Sequence, residues 1–329
     1  MKYKNWCLLL ALSAILSIGQ PTYGQGLSKD YFAVSDTFSQ KRFNTLGGLV
    51  VGTYATLSTG LYFAWYDQYP RSGFQFFDDR GEWLDMDKGG HIYSAYFQSY
   101  ICYHGARWTG LSEPKSILTG VLCATVFQTT IEVMDGFSER WGFSVADVVS
   151  NGIGVSTFAL QQHLWHEQRI TLKINSFPTS YPSFDIVGSQ GTVLSSRDRR
   201  DDLYGSTYLE SYLKDYNTQS YWASINVHSF LPEGNRWPAW LNVAVGYGGD
   251  NMYGGFENEW EMAGEQFAVD DSMYPRTRQY YLGFDLDLRH IKTKSNFWNS
   301  VLGALNIFKV PSPALEINSR GELTFHLLR

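Results

Sequence analysis

Apolar positions follow two different periods along this chain, and the change falls near residue 169. Before that point they come in long runs with helical spacing. After it they alternate with polar residues, as strands with two unlike faces do. Four helical stretches are expected in the first part. The segment "FNTLGGLVVGTYATLSTGLYFAWY" (43–66) is rich in small residues, and its threonines and serine suit a packed bundle helix as well as a membrane span. A second helix begins within "DMDKGGHIYSAYF" (85–97). "LSEPKSILTGVLCATVFQTTIEVMDG" (111–136) opens with Ser112 as N-cap and Pro114 in the first turn, and closes at Gly136. "FSVADVVSNGIGVSTFALQQHLWHEQ" (143–168) starts at Ser144, with Asp147 at the spacing of a capping box.

In the second part "SYWASINVH" (220–228), "WLNVAVGY" (240–247) and "QYYLGFDLDLRH" (279–290) alternate clearly. The last puts Tyr280, Leu282, Phe284, Leu286 and Leu288 on one face and Tyr281, Asp285, Asp287 and Arg289 on the other. Residues 169–175, 314–318 and 322–328 add further strands, making about six. Two-faced strands are antiparallel. The expected class is therefore α+β, with a helical bundle over residues 25–168 and an antiparallel β-rich domain over 169–329. Six strands are fewer than the eight of the smallest closed bacterial barrels. The expected β half is thus a mostly soluble sheet that touches a membrane on one face at most.

The amino terminus changes the setting. Lys2 and Lys4, an apolar stretch from about Trp6 to Ile18, and small residues up to a cleavage point at Gly24 form a secretory signal over residues 1–24. The chain is expected to be exported, and to be periplasmic or associated with the outer membrane. Cys7 lies early in the apolar run, away from any cleavage site, and leaves with the signal. Cys102 and Cys123 remain, read as small buried hydrophobes, with one bridge open to them in an oxidising compartment. A net charge of −6 excludes nucleic acid as a natural partner. Aromatics at 16%, with 22 Tyr and 11 Trp, suit a membrane interface, a carbohydrate or large packed β faces.

Candidate chemistry sits on the helices. Asp87 and His91 are four apart, Glu132 and Asp135 three apart, and Asp147 and Asn151 four apart, so three successive helices each carry a polar pair on one face. Glu132 and Asp135 oppose each other and the negative end of their helix dipole. Lys88, Arg140, His91, the helix starting at Ser144 or a metal ion would each compensate them. A structural polar network explains these residues, with Asp87 as an N-cap and Ser138 as a turn residue. A metal or acid–base site explains them too, with His91, Glu132 and Asp135 as candidate ligands, although no ExxH repeat completes a carboxylate-bridged motif. Lys88 and His91 could also receive an anionic head group. Motifs for a nucleophile elbow, a zinc-protease helix, a phosphate loop or paired CxxC are missing from the sequence, and no cofactor is named by it.

Taken together, "DKGGH" (87–91), "EVMDGFSERWGFSVAD" (132–147) and "NGIG" (151–154) resemble the YfiM-like family of predicted periplasmic proteins of unknown function. They are more distantly similar to the VanZ-like membrane family. The resemblance covers about residues 40–170 and implies an envelope protein whose shared positions are Asp87, Lys88, His91, Glu132, Asp135, Ser138, Asp147, Asn151 and Gly154. The chain departs from its relatives in lacking the lipid-attachment cysteine of the lipoprotein branch. It also adds a β-rich half that looks like segments of longer members from Bacteroides-type bacteria. Two kinds of function follow. One is a structural or interaction role at the periplasmic side of the outer membrane, with a membrane surface or an envelope protein as partner. The other is a hydrolase or transferase acting on a lipid or cell-wall substrate, with Glu132 or Asp135 as base, His91 as acid or ligand, and Asp87 orienting His91. Whether the chain is an enzyme is left open by these residues.

Overall fold

The computed structural model describes residues 33–67, 70–176 and 181–329, and the expected signal segment lies outside them. The described chain forms two compact units. One comprises residues 33–79, 94–167 and 293–301, and the other residues 80–93, 168–292 and 302–329. Helices fill the first half of the chain and antiparallel strands the second, so the α+β class holds.

The helical unit is built from α1 (Gln40–Leu61), continued by a π-helical turn to Tyr66, from the greater part of α2 (Met86–Trp108), and from α3 (Glu113–Gly136) and α4 (Val145–Trp165). The helix ends follow local chemistry. Ser39 caps α1 by accepting from the Arg42 amide. Ser112 occupies the cap position of α3, but its hydroxyl makes no capping bond; the Ser116 hydroxyl donates instead to the Ser112 carbonyl at 3.0 Å. Ser144 does cap α4, accepting from Asp147 N at 3.1 Å while donating to Asp79 Oδ1 at 2.6 Å.

The interior of this unit is small and polar. The enclosed side of α3 advances every fourth residue through Ser116, Gly120, Ala124, Gln128, Glu132 and Gly136. Gly120 is required there, since a Cβ would lie 2.5 Å from the Ser99 carbonyl oxygen of α2. Phe158 of α4 is fully enclosed, with the Tyr96 and Tyr103 rings 6.4 and 5.5 Å away. The outward side carries Leu118, Leu122 and Val126 on α3 and Val149, Ile153 and Leu160 on α4, all exposed. That distribution reverses the one a helix in water adopts. Among the described residues α3 alone is long and apolar enough to cross a membrane, with a mean hydropathy of 1.6. Cys102 and Cys123 are free thiols, partly exposed where full burial was expected.

The sheet unit contains β1 (Ile170–Ser176), β2 (Asp185–Val187), β3 (Val193–Ser195), α5 (Ser196–Tyr204), α6 (Tyr208–Lys214), β4 (Gln219–Ile225), β5 (Leu241–Asp250), β6 (Glu259–Met262), β7 (Glu265–Ala268), β8 (Thr277–Leu286), β9 (Ala314–Asn318) and β10 (Leu323–His326). A further helix, α7 (Asn296–Leu305), runs from one unit into the other. Six strands form one antiparallel sheet in the order β1-β4-β5-β8-β9-β10. The hairpins β2-β3 and β6-β7 enclose a separate cluster of Ile186, Tyr253, Phe267 and Val269. Register lines up Lys173, Trp222, Gly246, Tyr281 and Glu316 across five strands of the large sheet, and this is its buried face. Gly246 makes room for the Trp222 ring, which its Cβ would meet at 2.6 Å. Lys173 and Asp285 pair at 2.6 Å with neither side chain exposed.

Candidate functional site

Helix α2 leaves an unusual turn. Trp83, Leu84 and Asp85 have φ of 50°, 55° and 62°, three successive non-glycine residues in the left-handed region, after Gly81 at 85°. Left-handed backbone costs an ordinary residue about 1–2 kcal/mol, so the surroundings must over-determine it. They do so with hydrogen bonds from the sheet unit. Trp83 N donates to Gly255 O at 2.7 Å. The Leu84 carbonyl accepts from Tyr247 Oη and from Arg278 Nη1, the latter at 2.8 Å. Asp85 accepts from Gly81 N and from Arg278, each at 2.7 Å.

The turn delivers "DKGGH" onto the sheet. A Cβ at Gly89 would lie 2.6 Å from the Tyr221 ring and one at Gly90 3.0 Å from its hydroxyl, so the two glycines let the helix rest on β4. Asp87 lies inside the first turn of α2 and is not its cap. It accepts from Tyr216 Oη at 2.9 Å and from Lys88 Nζ at 3.1 Å. His91 Nε2 stands 3.8 Å from Asp87 Oδ1, an ion-pair distance too long for a hydrogen bond. Burial alone would raise the Asp87 carboxyl, but His91, Lys88 and the Tyr216 hydrogen bond outweigh it and hold the group below its ordinary value. Asp87 also sits at the positive end of its helix dipole. The result is a fixed carboxylate with an imidazole one turn away. That pair can orient a histidine, and it offers two ligands to a divalent cation.

Glu132, Asp135, Ser138, Asp147, Asn151 and Gly154 belong to the helical unit, and Asp87, Lys88 and His91 to the sheet unit. Glu132 is 1% exposed, one turn below Gln128, whose amide donates to Gln98 at 3.2 Å. Asp135 accepts from Tyr66 Oη at 2.6 Å, and the Tyr66 ring meets Trp141 edge-on at 5.4 Å. The Ser138 hydroxyl accepts from Arg140 N at 3.2 Å, and its carbonyl from the Gln75 amide at 2.7 Å. Asp147 is positioned by Ser144, and Asn151 and Gly154 follow it on the enclosed side of α4.

Sequence reasoning missed Tyr66, Asp79, Tyr216, Tyr247 and Arg278. None stands at helical or strand spacing to the residue it holds; Tyr216 is 129 positions from Asp87 and Arg278 is 193 from Asp85.

Residues 73–163 are similar to a family described as predicted periplasmic lipoprotein (DUF2279), and all nine candidate positions fall inside that stretch. An envelope location of this kind agrees with the expectation of an exported chain that is periplasmic or associated with the outer membrane. No curated protein and no solved structure matches the chain.

Proposed function

We propose that this is a membrane-embedded envelope protein with a structural or interaction role, its helical unit seated in lipid. The observation that carries the reading is the polarity of α3 and α4, which enclose Gly120, Gln128, Glu132 and Asn151 and present Leu122, Val126, Ile153 and Leu160 outward. In water such helices would lose the burial that holds a bundle together. In hydrocarbon they gain from the close approach that small residues permit, and polar side chains turn inward because lipid cannot solvate them. The narrower resemblance to YfiM-like proteins and a place at the outer membrane belong to the same proposal. Alkaline carbonate washing of a total membrane fraction tests it. The protein is expected to stay in the pellet, and release into the supernatant would overturn the reading.

A second reading keeps an acid–base or metal site at Asp87 and His91, favoured by the left-handed turn just before them. Strain of this kind collects where a side chain must be held for function. Metal analysis of the purified full chain, with Asp87→Asn alongside, tests it. A bound divalent cation lost in the variant is expected, and equal metal content in both proteins would sink it.

A further inference from the structure

The large sheet shows the same reversal as the helices, produced by a different period. Its enclosed face carries Lys173, Ser220, Ser224, Asn242, Asp285 and Glu316, all buried. Its other face is apolar across β5, β8, β9 and β10 up to the row of Tyr247 and Tyr280; beyond it stands Arg278, and on β4 the Tyr221 ring is covered by Gly89 and Gly90 of α2. Register sets Val245, Leu282, Leu315 and Phe325 in one row across β5, β8, β9 and β10, and Tyr247, Tyr280, Ile317 and Leu323 in the next. Val245, Leu282, Leu315 and Phe325 are 45%, 55%, 46% and 67% exposed. Neither row contains an acid, a base or an amide.

We propose that this face lies against the acyl chains of a bilayer, as a lipid-facing wall. Charge complementarity selects lipid over a protein. A protein partner of ordinary composition brings polar groups and about one hydrogen bond per 100–200 Å² of interface, and these rows have almost nothing to offer such groups beyond the Tyr280 hydroxyl, that of Tyr247 being engaged with Leu84 and Arg278. Uncharged hydrocarbon asks for nothing from these side chains, while the backbone edges at β1 and β10 require partners other than lipid. The pattern along each strand, apolar outward and polar inward, is that of lipid-exposed β structure. Dimension agrees as well. The Tyr247 and Tyr280 rings, 5.6 Å apart, close the apolar rows, three residues before β5 ends at Asp250. From Leu241 to Tyr247 the outward positions of β5 carry no charge over roughly 20 Å at about 3.4 Å per residue, against an apolar band of about 25 Å in lipid-exposed β structure.

This inference rests on the membrane reading above only for the presence of a bilayer, and the two can fail separately. The test uses the full chain with its three native cysteines replaced by serine and a single new cysteine at Leu282, Leu315, the turn residue Arg320, or Leu122 of α3. Each variant is labelled with a bimane fluorophore and reconstituted in vesicles of phosphatidylethanolamine and phosphatidylglycerol, with or without brominated acyl chains. Loss of emission to brominated lipid at 282 and 315, with 320 lost to aqueous iodide only, is expected. Iodide quenching without bromolipid quenching at 282 and 315 would overturn the proposal. So would silence to both quenchers together with disulfide-linked dimers through residue 282, which would put a second copy on the face. Bromolipid quenching at 122 but not at 282 and 315 removes this inference and leaves the helical reading intact; the reverse pattern removes the helical reading alone.

Discussion

In the helical unit the enclosed polar stripe of α3 advances four residues at a time and is made mostly of small side chains, from Ser116 to Gly136. In the sheet unit the enclosed face advances two at a time and holds full charges, Lys173, Asp285 and Asp287 among them. The difference follows from the backbone. A helix satisfies its own amides, so two helices can approach until a glycine meets a carbonyl, and few side-chain partners are needed between them. A sheet holds neighbouring strands near 4.8 Å, so its faces must be filled by side chains. Polar ones need partners when enclosed, which is why Lys173 bonds to Asp285, Asn306 and the Leu286 carbonyl at once.

The largest expected effect breaks the sheet side of this comparison. Lys173→Met strands Asp285 without its counter-charge and should cost about 3–5 kcal/mol, while Lys173→Met with Asp285→Leu should cost clearly less than the single change. Urea unfolding of the full protein in detergent measures both, and a single-variant loss below about 1 kcal/mol would mean the pair is solvated. Next comes acid. Burial works to raise Asp287, but Arg289, with help from His290 and Lys173, holds it down at about 2. Its ordinary value is about 3.9, so the linked stability is full above pH 4, falls as pH drops towards 2, and amounts to about 2–3 kcal/mol. Unfolding free energies at pH 5 and pH 2.5 should show the loss, and Asp287→Asn should flatten that part of it.

On the helical side, Gly120→Ala should cost about 1–3 kcal/mol, because its methyl would meet the backbone carbonyl of Ser99 at 2.5 Å and the Phe158 ring at 3.4 Å. Gly152→Ala, with nothing within 4 Å of the added Cβ, should be neutral or gain up to about 1 kcal/mol. Similar values for both, measured by the same unfolding, would mean that α2 and α3 are not closely packed. The smallest effect concerns the candidate site. Tyr216→Phe removes one hydrogen bond to Asp87 and should raise its carboxyl titration toward the ordinary value, followed by NMR, at a stability cost of about 1 kcal/mol.

Periodicity made much of this legible. The six main strands lie within a few residues of the alternating segments, β9 matching 314–318 residue for residue, and α3 ends at Gly136. The two faces of 279–290 are as expected as far as Leu286, where β8 ends and Leu288–His290 turn off as a 3-10 helix capped by Asp287; alternation does not say which face looks inward, and here it is the polar one. The hairpins β2-β3 and β6-β7 and the helices α5 and α6 escape the sequence pattern because strands of three or four residues and helices of two turns hold no measurable period. At the candidate site, spacing showed that Asp87 and His91 share a helix face. It could not show the turn that precedes them, since Trp83 and Leu84 have no intrinsic taste for left-handed backbone, and the groups that force it come from β5 and β8.

That dependence fixes an order of events. The hydrogen bonds on the Leu84 carbonyl come from residues 163 and 194 positions further along the chain. When residues 80–93 emerge during synthesis or export, nothing is present to hold the turn, and contacts between such distant residues form late. Helix α2 can wind early from its middle, but the end that carries Asp87, Lys88 and His91 is set only when β5 and β8 have paired. The setting of Asp87, Lys88 and His91 is therefore among the last parts of the sheet unit to take shape, and a chain cut short before Arg278 would carry these three residues and still lack the turn that places them.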